Sequence, residues 1–339
     1  MRSLLWVAIM GLCSTPLLAA SPQGFSFAHK DWELACDNTG TCRAAGYGTA
    51  MGEVSVLLTR NAGAAQHVIA VATFAQTERD IPPDATVNLF LDDRDNGPLE
   101  AADESHFRFD DTQTAALIQA LEHNGKIELA LNGERKTLSA AGSSAVFLKM
   151  DEFQQRLGTA DALLRQGDAG DDNILPAAPA PEIIAAPVIH NAATVALTAK
   201  QRQKLLPQLT PLLNSHCDDW QNADIPASER QLTATPLDKS HTLIQALCWR
   251  AAYNEGYGMW VLDASLKGPA TFVTETASDF SEGRIVSGQK GRGIGDCWKI
   301  SEWIWQGQAF VQTVDRWSGM CKGFAGGAWD LDLIEAVVK

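Results

Sequence analysis

Beyond its first twenty residues, this chain has no apolar run long enough to span a bilayer. Positive charge is also scarce. There are 27 Lys and Arg against 41 Asp and Glu, a formal net charge of −14. A surface with that balance is repelled by phosphate backbones and anionic lipid, so nucleic acid is excluded as the expected partner. Signatures of catalysis are missing as well. There is no nucleophile elbow, zincin helix or Walker A loop. No Cys-x-x-Cys or His-x-x-x-His spacing offers a zinc site, even though His216 precedes Cys217. Ser240 and His241 are adjacent, so in a strand they point to opposite faces and cannot form a nucleophile–base pair. No cofactor is expected.

The N-terminus reads as a cleavable signal peptide over residues 1–20. Arg2 supplies the positive region, Leu4 to Leu12 the apolar stretch and Pro16 to Ala20 a small-residue exit, with cleavage expected near Ala20. Cys13 lacks the small residue before it that lipidation would need. The mature chain is expected to be soluble and periplasmic or secreted. Its six cysteines fall as three neighbouring pairs: Cys36 with Cys42, Cys217 with Cys248, and Cys297 with Cys321. Six cysteines allow fifteen connectivities, and proximity favours these neighbours. Paired thiols point to an oxidising compartment and argue against a cysteine nucleophile.

The expected fold is mainly β with some α, an α+β chain of two disulfide-containing domains. An N-terminal β-rich domain with two helices covers 21–172. A Pro/Ala-rich linker with Pro176, Pro179, Pro181 and Pro187 covers 173–197, and a β-rich, Trp-rich domain covers 198–339. Trp32 to Cys36 and Cys42 to Tyr47 flank turn residues and read as a hairpin. Glu53 to Arg60, His67 to Phe74 and Thr86 to Leu91 read as further strands. Asp111 or Thr112 caps a helix that Asn124-Gly125 stops. Asn132-Gly133 turns a hairpin between Lys126 to Leu131 and Glu134 to Leu138. A helix from about Asp151 to Arg165 closes the domain. Beyond the linker, Thr198 and Gln201 form a capping box for a Leu-rich helix that Pro207 and Pro211 should break or kink. Trp298 to Ile304 and Phe310 to Trp317 flank Gln306-Gly307 as a hairpin.

Four stretches resemble one known family. They are Trp32 to Asn38 running on to Cys42 to Tyr47, Cys248 to Gly258, Gly293 to Trp298, and Cys321 to Asp330. Together they are similar to the secreted proteins of Gram-negative bacteria grouped as domain of unknown function 1176. That resemblance implies an exported protein of this size and no established activity. More loosely, the early Trp-x-x-x-Cys and the late Leu138-Ser139 are similar to the invasion-associated locus B family.

Candidate sites follow from side-chain chemistry. Lys290 and Arg292 interleave with Gly288, Gly291, Gly293 and Gly295, and backbone amides beside two cations can cradle an anion. Eight tryptophans crowd into the last third. With Tyr253, Tyr257 and Asp263 they could line a groove for sugar or protein, and Trp303 and Trp305, two apart, share one face of a strand. Asp92, Asp95 and Asp103 form an acidic stretch with calcium-type oxygens, but Arg94 breaks the EF-hand pattern. Glu255 and Asp263 are one nominal glycosidase pair. The leading reading is a non-catalytic binding module for an envelope or host protein, or a glycan, acting through the C-terminal domain. The alternatives are an envelope glycan hydrolase and a structural envelope protein without ligand.

Overall fold

The computed structural model describes residues 23–75, 85–222, 224–226 and 228–339. The expected signal segment, Cys13 and the cleavage point near Ala20 lie outside the described residues. No helix among the described residues is long and apolar enough to cross a membrane.

The first half contains β1 (Phe25–His29), β2 (Trp32–Cys36), β3 (Cys42–Tyr47), β4 (Val54–Arg60), β5 (Ile69–Phe74), β6 (Val87–Leu91), β7 (Arg94–Pro98), β8 (Glu100–Ala101) and β9 (His106–Arg108). Then come α1 (Asp111–Glu122), β10 (Ile127–Leu131), β11 (Glu134–Leu138) and α2 (Ser143–Phe153). The second half contains β12 (Glu182–Ile183), β13 (Val195–Ala196), α3 (Ala199–His216), β14 (Thr233–Pro236), β15 (His241–Arg250), β16 (Glu255–Asp263) and β17 (Thr271–Ala277). It ends with β18 (Asp279–Ser281), β19 (Arg284–Lys290), β20 (Trp298–Trp305), β21 (Phe310–Trp317), β22 (Leu331–Ile334) and β23 (Val337–Val338). Among the described residues the chain is mainly β with three α-helices, and all three expected disulfides form.

Sheet order follows sequence proximity. Strands β1-β2-β3-β4-β5-β9-β8 make one sheet and β11-β10-β6-β7 a second. Two five-stranded meanders follow, β13 to β17 and β18 to β22. Side chains of β2 alternate between two buried environments. Trp32, Leu34 and Cys36 join the core under α1 and α2, while Ala35 meets Phe324, Trp329 and Leu331 on the other face. All five residues of β2 are therefore buried.

Helix α1 forms where expected, but its cap is Asp110 and not Asp111 or Thr112. Gln113 N donates to Asp110 Oδ1 at 2.7 Å, and Asp110 N donates back to Gln113 Oε1. Thr198 and Gln201 form the expected box on α3. Two further expectations need correction. The closing helix of the first half runs Ser143–Phe153, not 151–165. Its buried stripe is Val146, Phe147 and Met150, and Gln155 (φ 57°) stops it. Pro207 and Pro211 do not break α3. They lie on the exposed face, opposite buried Leu205, Leu209 and Leu213.

The Pro/Ala segment makes several contacts along its length. It is irregular, as its prolines require, yet tied down at intervals. Leu175 N donates to Gln154 O, Ala178 N to Thr39 O, Ala186 N to Trp305 O and Ile189 N to Leu237 O. At its middle, β12 pairs in parallel with β23. The chain's last segment closes onto its first. Asn38 and Glu335 exchange side-chain–backbone hydrogen bonds, Arg43 pairs with Asp37 and Glu335, and Lys322 pairs with Asp31.

Two outcomes follow. The Cys217–Cys248 and Cys297–Cys321 bonds span 31 and 24 residues, against 6 for Cys36–Cys42. On loop entropy they contribute about 3.5 kcal/mol each, and the short one about 2.3 kcal/mol. Removing either long pair by Cys→Ala replacement should lower the melting temperature more than removing Cys36–Cys42, and equal melting would contradict this. The second outcome concerns Asp332. Burial, set against the Arg43 charge, raises its carboxyl to about 6. The folded state therefore binds its proton more tightly, so its contribution is present below about 3.8 and lost as pH rises through about 6. Chemical denaturation should show stability falling between pH 4.5 and 7. Asp332→Asn should flatten that slope by about 2–3 kcal/mol.

Candidate binding surface

Strands β19 and β20 pair up to Lys290 opposite Trp298, and the Gly-rich segment turns between them. Two hydrogen bonds shape it: Gly291 N donates to Cys297 O, and Gly295 N to Arg292 O. Glycine at 291 is a packing requirement, because a Cβ there would lie 2.5 Å from Cys297 Sγ. Gly295 takes φ +72°, which favours glycine.

A neighbouring turn braces this one. Asn254 Nδ2 donates to Lys290 O at 2.8 Å, and Lys290 N donates to Asn254 Oδ1 at 3.0 Å. One amide side chain thus satisfies both backbone groups at the strand end, as a paired strand would. Tyr253 Oη donates to Gly291 O, and its ring lies over Gly293. From the other side, the Cys297–Cys321 bond joins the turn to residues 318–328. Gly323 N donates to Asp296 Oδ2, and Gly326 N to Gly295 O. The tip of this braced turn is Ile294, 76% exposed, with Tyr253 beside it at 48%.

The anion cradle expected here is altered. Arg292 Nε donates to Asp296 Oδ1 at 2.9 Å, so this guanidinium is committed. The same contact holds the Asp296 carboxyl below its ordinary value. Lys290 Nζ lies 5.3 Å over the Trp298 ring.

The other expected site residues sit elsewhere. Trp305 is wholly enclosed in a core with Leu237, Leu243 and Ile285, so it offers no face to a ligand. Trp303 packs at the edge of that core. Tyr257 packs there too; its Oη donates to Glu255 Oε1, and burial raises its pKa. None of the eight C-terminal tryptophans is an exposed residue. The aromatic groove is therefore a set of core and half-buried side chains. Each meander has covered faces, so its tryptophans serve packing.

The acidic stretch does not converge. Asp92 Oδ1 accepts from Lys126 N, Asp95 Oδ1 from Gly97 N, and Asp103 Oδ1 from Ser105 N. Arg94–Pro98 is a strand rather than part of a loop. Asp95 and Asp103 thus stabilise two local turns, and Asp92 ties its own turn to residue 126, instead of forming one calcium site. Among the described residues, the one cluster with metal-ligand spacing is Asp296, Cys297 and Cys321, and its sulfurs are bonded to each other. Glu255 and Asp263 are the two ends of β16. Eight residue steps put them about 26 Å apart, beyond any glycosidase spacing. Asp263 is held at about 2 by the Ser265 hydroxyl and the Lys267 backbone, which removes it as a general acid.

Sequence reasoning placed Tyr253 in an aromatic groove and missed Asn254 and Ile294 as its neighbours at this turn. Asn254 acts on a residue 36 positions away, and no local pattern marks that.

Known proteins offer likeness without activity. The family described as "Protein of unknown function (DUF1176)" matches over residues 26–335. The "Uncharacterized protein YpfG" of Escherichia coli (strain K12) is 26% identical over 347 residues, covering 91% of this chain and 93% of that one. No solved structure matches the chain. Neither match carries the likeness to the invasion-associated locus B family. With the family matched over nearly the whole described length, the chain belongs to DUF1176.

Proposed function

We propose that this is a non-catalytic recognition protein of the bacterial envelope that engages a protein partner through the turn at residues 291–295. One observation carries the reading. Ile294 is the most exposed of the large apolar side chains, and its turn is held by Asn254, Tyr253 and a disulfide. An exposed apolar side chain gains free energy when a partner's pocket removes it from water. Prior rigidity lowers the ordering cost of binding.

The three disulfides fit an oxidising compartment, which supports a periplasmic or exported location. The proposed organisation is two lobes, 21–172 and 198–339, joined by the strap 173–197. The net charge of −14 favours a partner with basic surface around its apolar pocket.

Photocrosslinking in an envelope extract tests this, with a crosslinker placed at position 294 and, as control, at exposed Leu157. A discrete adduct should form from 294 and not from 157. Ile294→Asp should weaken binding of the recovered partner about 30-fold, as for a hot-spot residue. It should leave the melting temperature unchanged, because surface substitutions stay within about 0.5 kcal/mol. Equal adducts from both positions, or unchanged binding by Ile294→Asp, would reject the reading.

A further inference from the structure

The tetrapeptide Asp-x-Ser-His occurs twice, as Asp103-Glu104-Ser105-His106 and Asp238-Lys239-Ser240-His241. Both copies fold identically. Ala102 N donates to His106 O, and Leu237 N to His241 O, which closes the same turn before β9 and before β15. In each copy the Asp Oδ1 accepts from the backbone N of Ser and His. Each His Nδ1 lies at 2.9–3.0 Å from both oxygens of its Asp. Each ring then rests on a tryptophan, His106 on Trp329 at 5.5 Å and His241 on Trp305 at 5.0 Å.

Repetition shows that the turn is first a structural device. It also isolates what differs. His106 lines a groove of 180 Å³ with Thr73, Phe74, Phe324, Ala325 and Ala328. That is about six water volumes, the size of one sugar ring. Asp103 engages Nδ1, which leaves Nε2 as the ring nitrogen available to hydrogen-bond a ligand hydroxyl. Ser105 Oγ lies 3.2 Å from the same Nδ1, so the three residues do not form a nucleophile–base relay. The site offers a hydrogen-bonding nitrogen and does not activate a serine.

We propose that this groove binds a single neutral, hydroxyl-bearing ring, with His106 Nε2 accepting from a ligand hydroxyl. Ala325 and Ala328 supply the accessible apolar surface for the carbon face of such a ring, backed by the nearly buried Phe74 and Phe324. The Asp103 carboxylate, in contact with His106 Nδ1, disfavours an anion. One wall belongs to N-terminal strands and the other to residues 324–328, so a bound ring would touch both halves of the chain. This site is independent of the Ile294 reading.

The test follows the Cε1–H resonances of His106 and His241 in the full oxidised chain. Assignment comes from His106→Phe and His241→Phe. Glucose, N-acetylglucosamine and methyl phosphate are titrated separately. A saturable shift at His106 with at least one of the sugars, and none at His241, is expected. Ala325→Trp, which fills the groove and leaves His106 in place, should weaken that binding at least tenfold. Three results would overturn the proposal: no saturable His106 shift with either sugar, an equal response at His241, or saturation by methyl phosphate alone.

Discussion

A buried carboxylate holds the two ends of this chain together. Glu33 lies in β2 and is only 5% exposed. Tyr47 Oη and Met320 N donate to its Oε1, and Trp317 Nε1 donates to its Oε2. Burial raises the Glu33 carboxyl above its ordinary value, and these three donors work against that rise. An isolated carboxylate in such a place would be expensive. Two of the donors belong to residues almost 290 positions away, so the sheet that carries Glu33 is satisfied only when the C-terminal segment lies across it. Around this contact Trp329 Nε1 donates to Ser55 Oγ, and Phe324 packs edge-on against Tyr47. The N-terminal sheet thus completes its second face with residues from the other end of the molecule.

That closure determines what residues 291–328 can do. The Cys297–Cys321 bond and the contacts of Asp296 and Gly295 join the turn at 291–295 to the segment that covers β2 and β3. One side of this double loop is anchored through Met320 and Trp329. The other side carries Ile294 into solvent. Anchoring and presentation are opposite ends of one braced unit, so the exposed turn draws its rigidity from contacts far from it in sequence.

Local chemistry was legible in the sequence wherever short-range partners decide the outcome. The cysteine pairs, the Asn132-Gly133 hairpin, the Thr198–Gln201 box and the hairpin at Gln306-Gly307 all involve residues a few positions apart or related by proximity. Failures occurred where distant contacts compete. Phe153, Leu157, Leu163 and Leu164 suggested a helix, but Arg156 is drawn inward to Gly63 O, and the chain turns instead. Prolines at 207 and 211 looked disruptive until their shared solvent-facing side was known. The tryptophans suggested a groove because composition cannot distinguish a covered sheet face from an open one. The Asp-x-Ser-His repeat was readable as text, but only the fold distinguishes the copy at a groove from the copy against a core.

Closure by distant segments also bears on why an acidic protein can hold its ends together. Around Asn38, the Arg43 guanidinium lies among Asp37, Asp332 and Glu335, an excess of negative charge over its single positive. Asp332 resolves the excess by keeping its proton to about pH 6. Charge repulsion across the seam is therefore reduced by protonation rather than by further cations, of which the chain has few. The hydrogen bonds at Glu33 and the half-neutralised cluster at Arg43 lie along the same seam. Acidification relieves the second without removing the donors of the first, so the seam tightens as pH falls from neutrality. Glu33 acts with the same sign: its raised carboxyl means that the folded state holds this proton more tightly than the unfolded chain does, so protonation removes the cost of a buried charge and also favours closure.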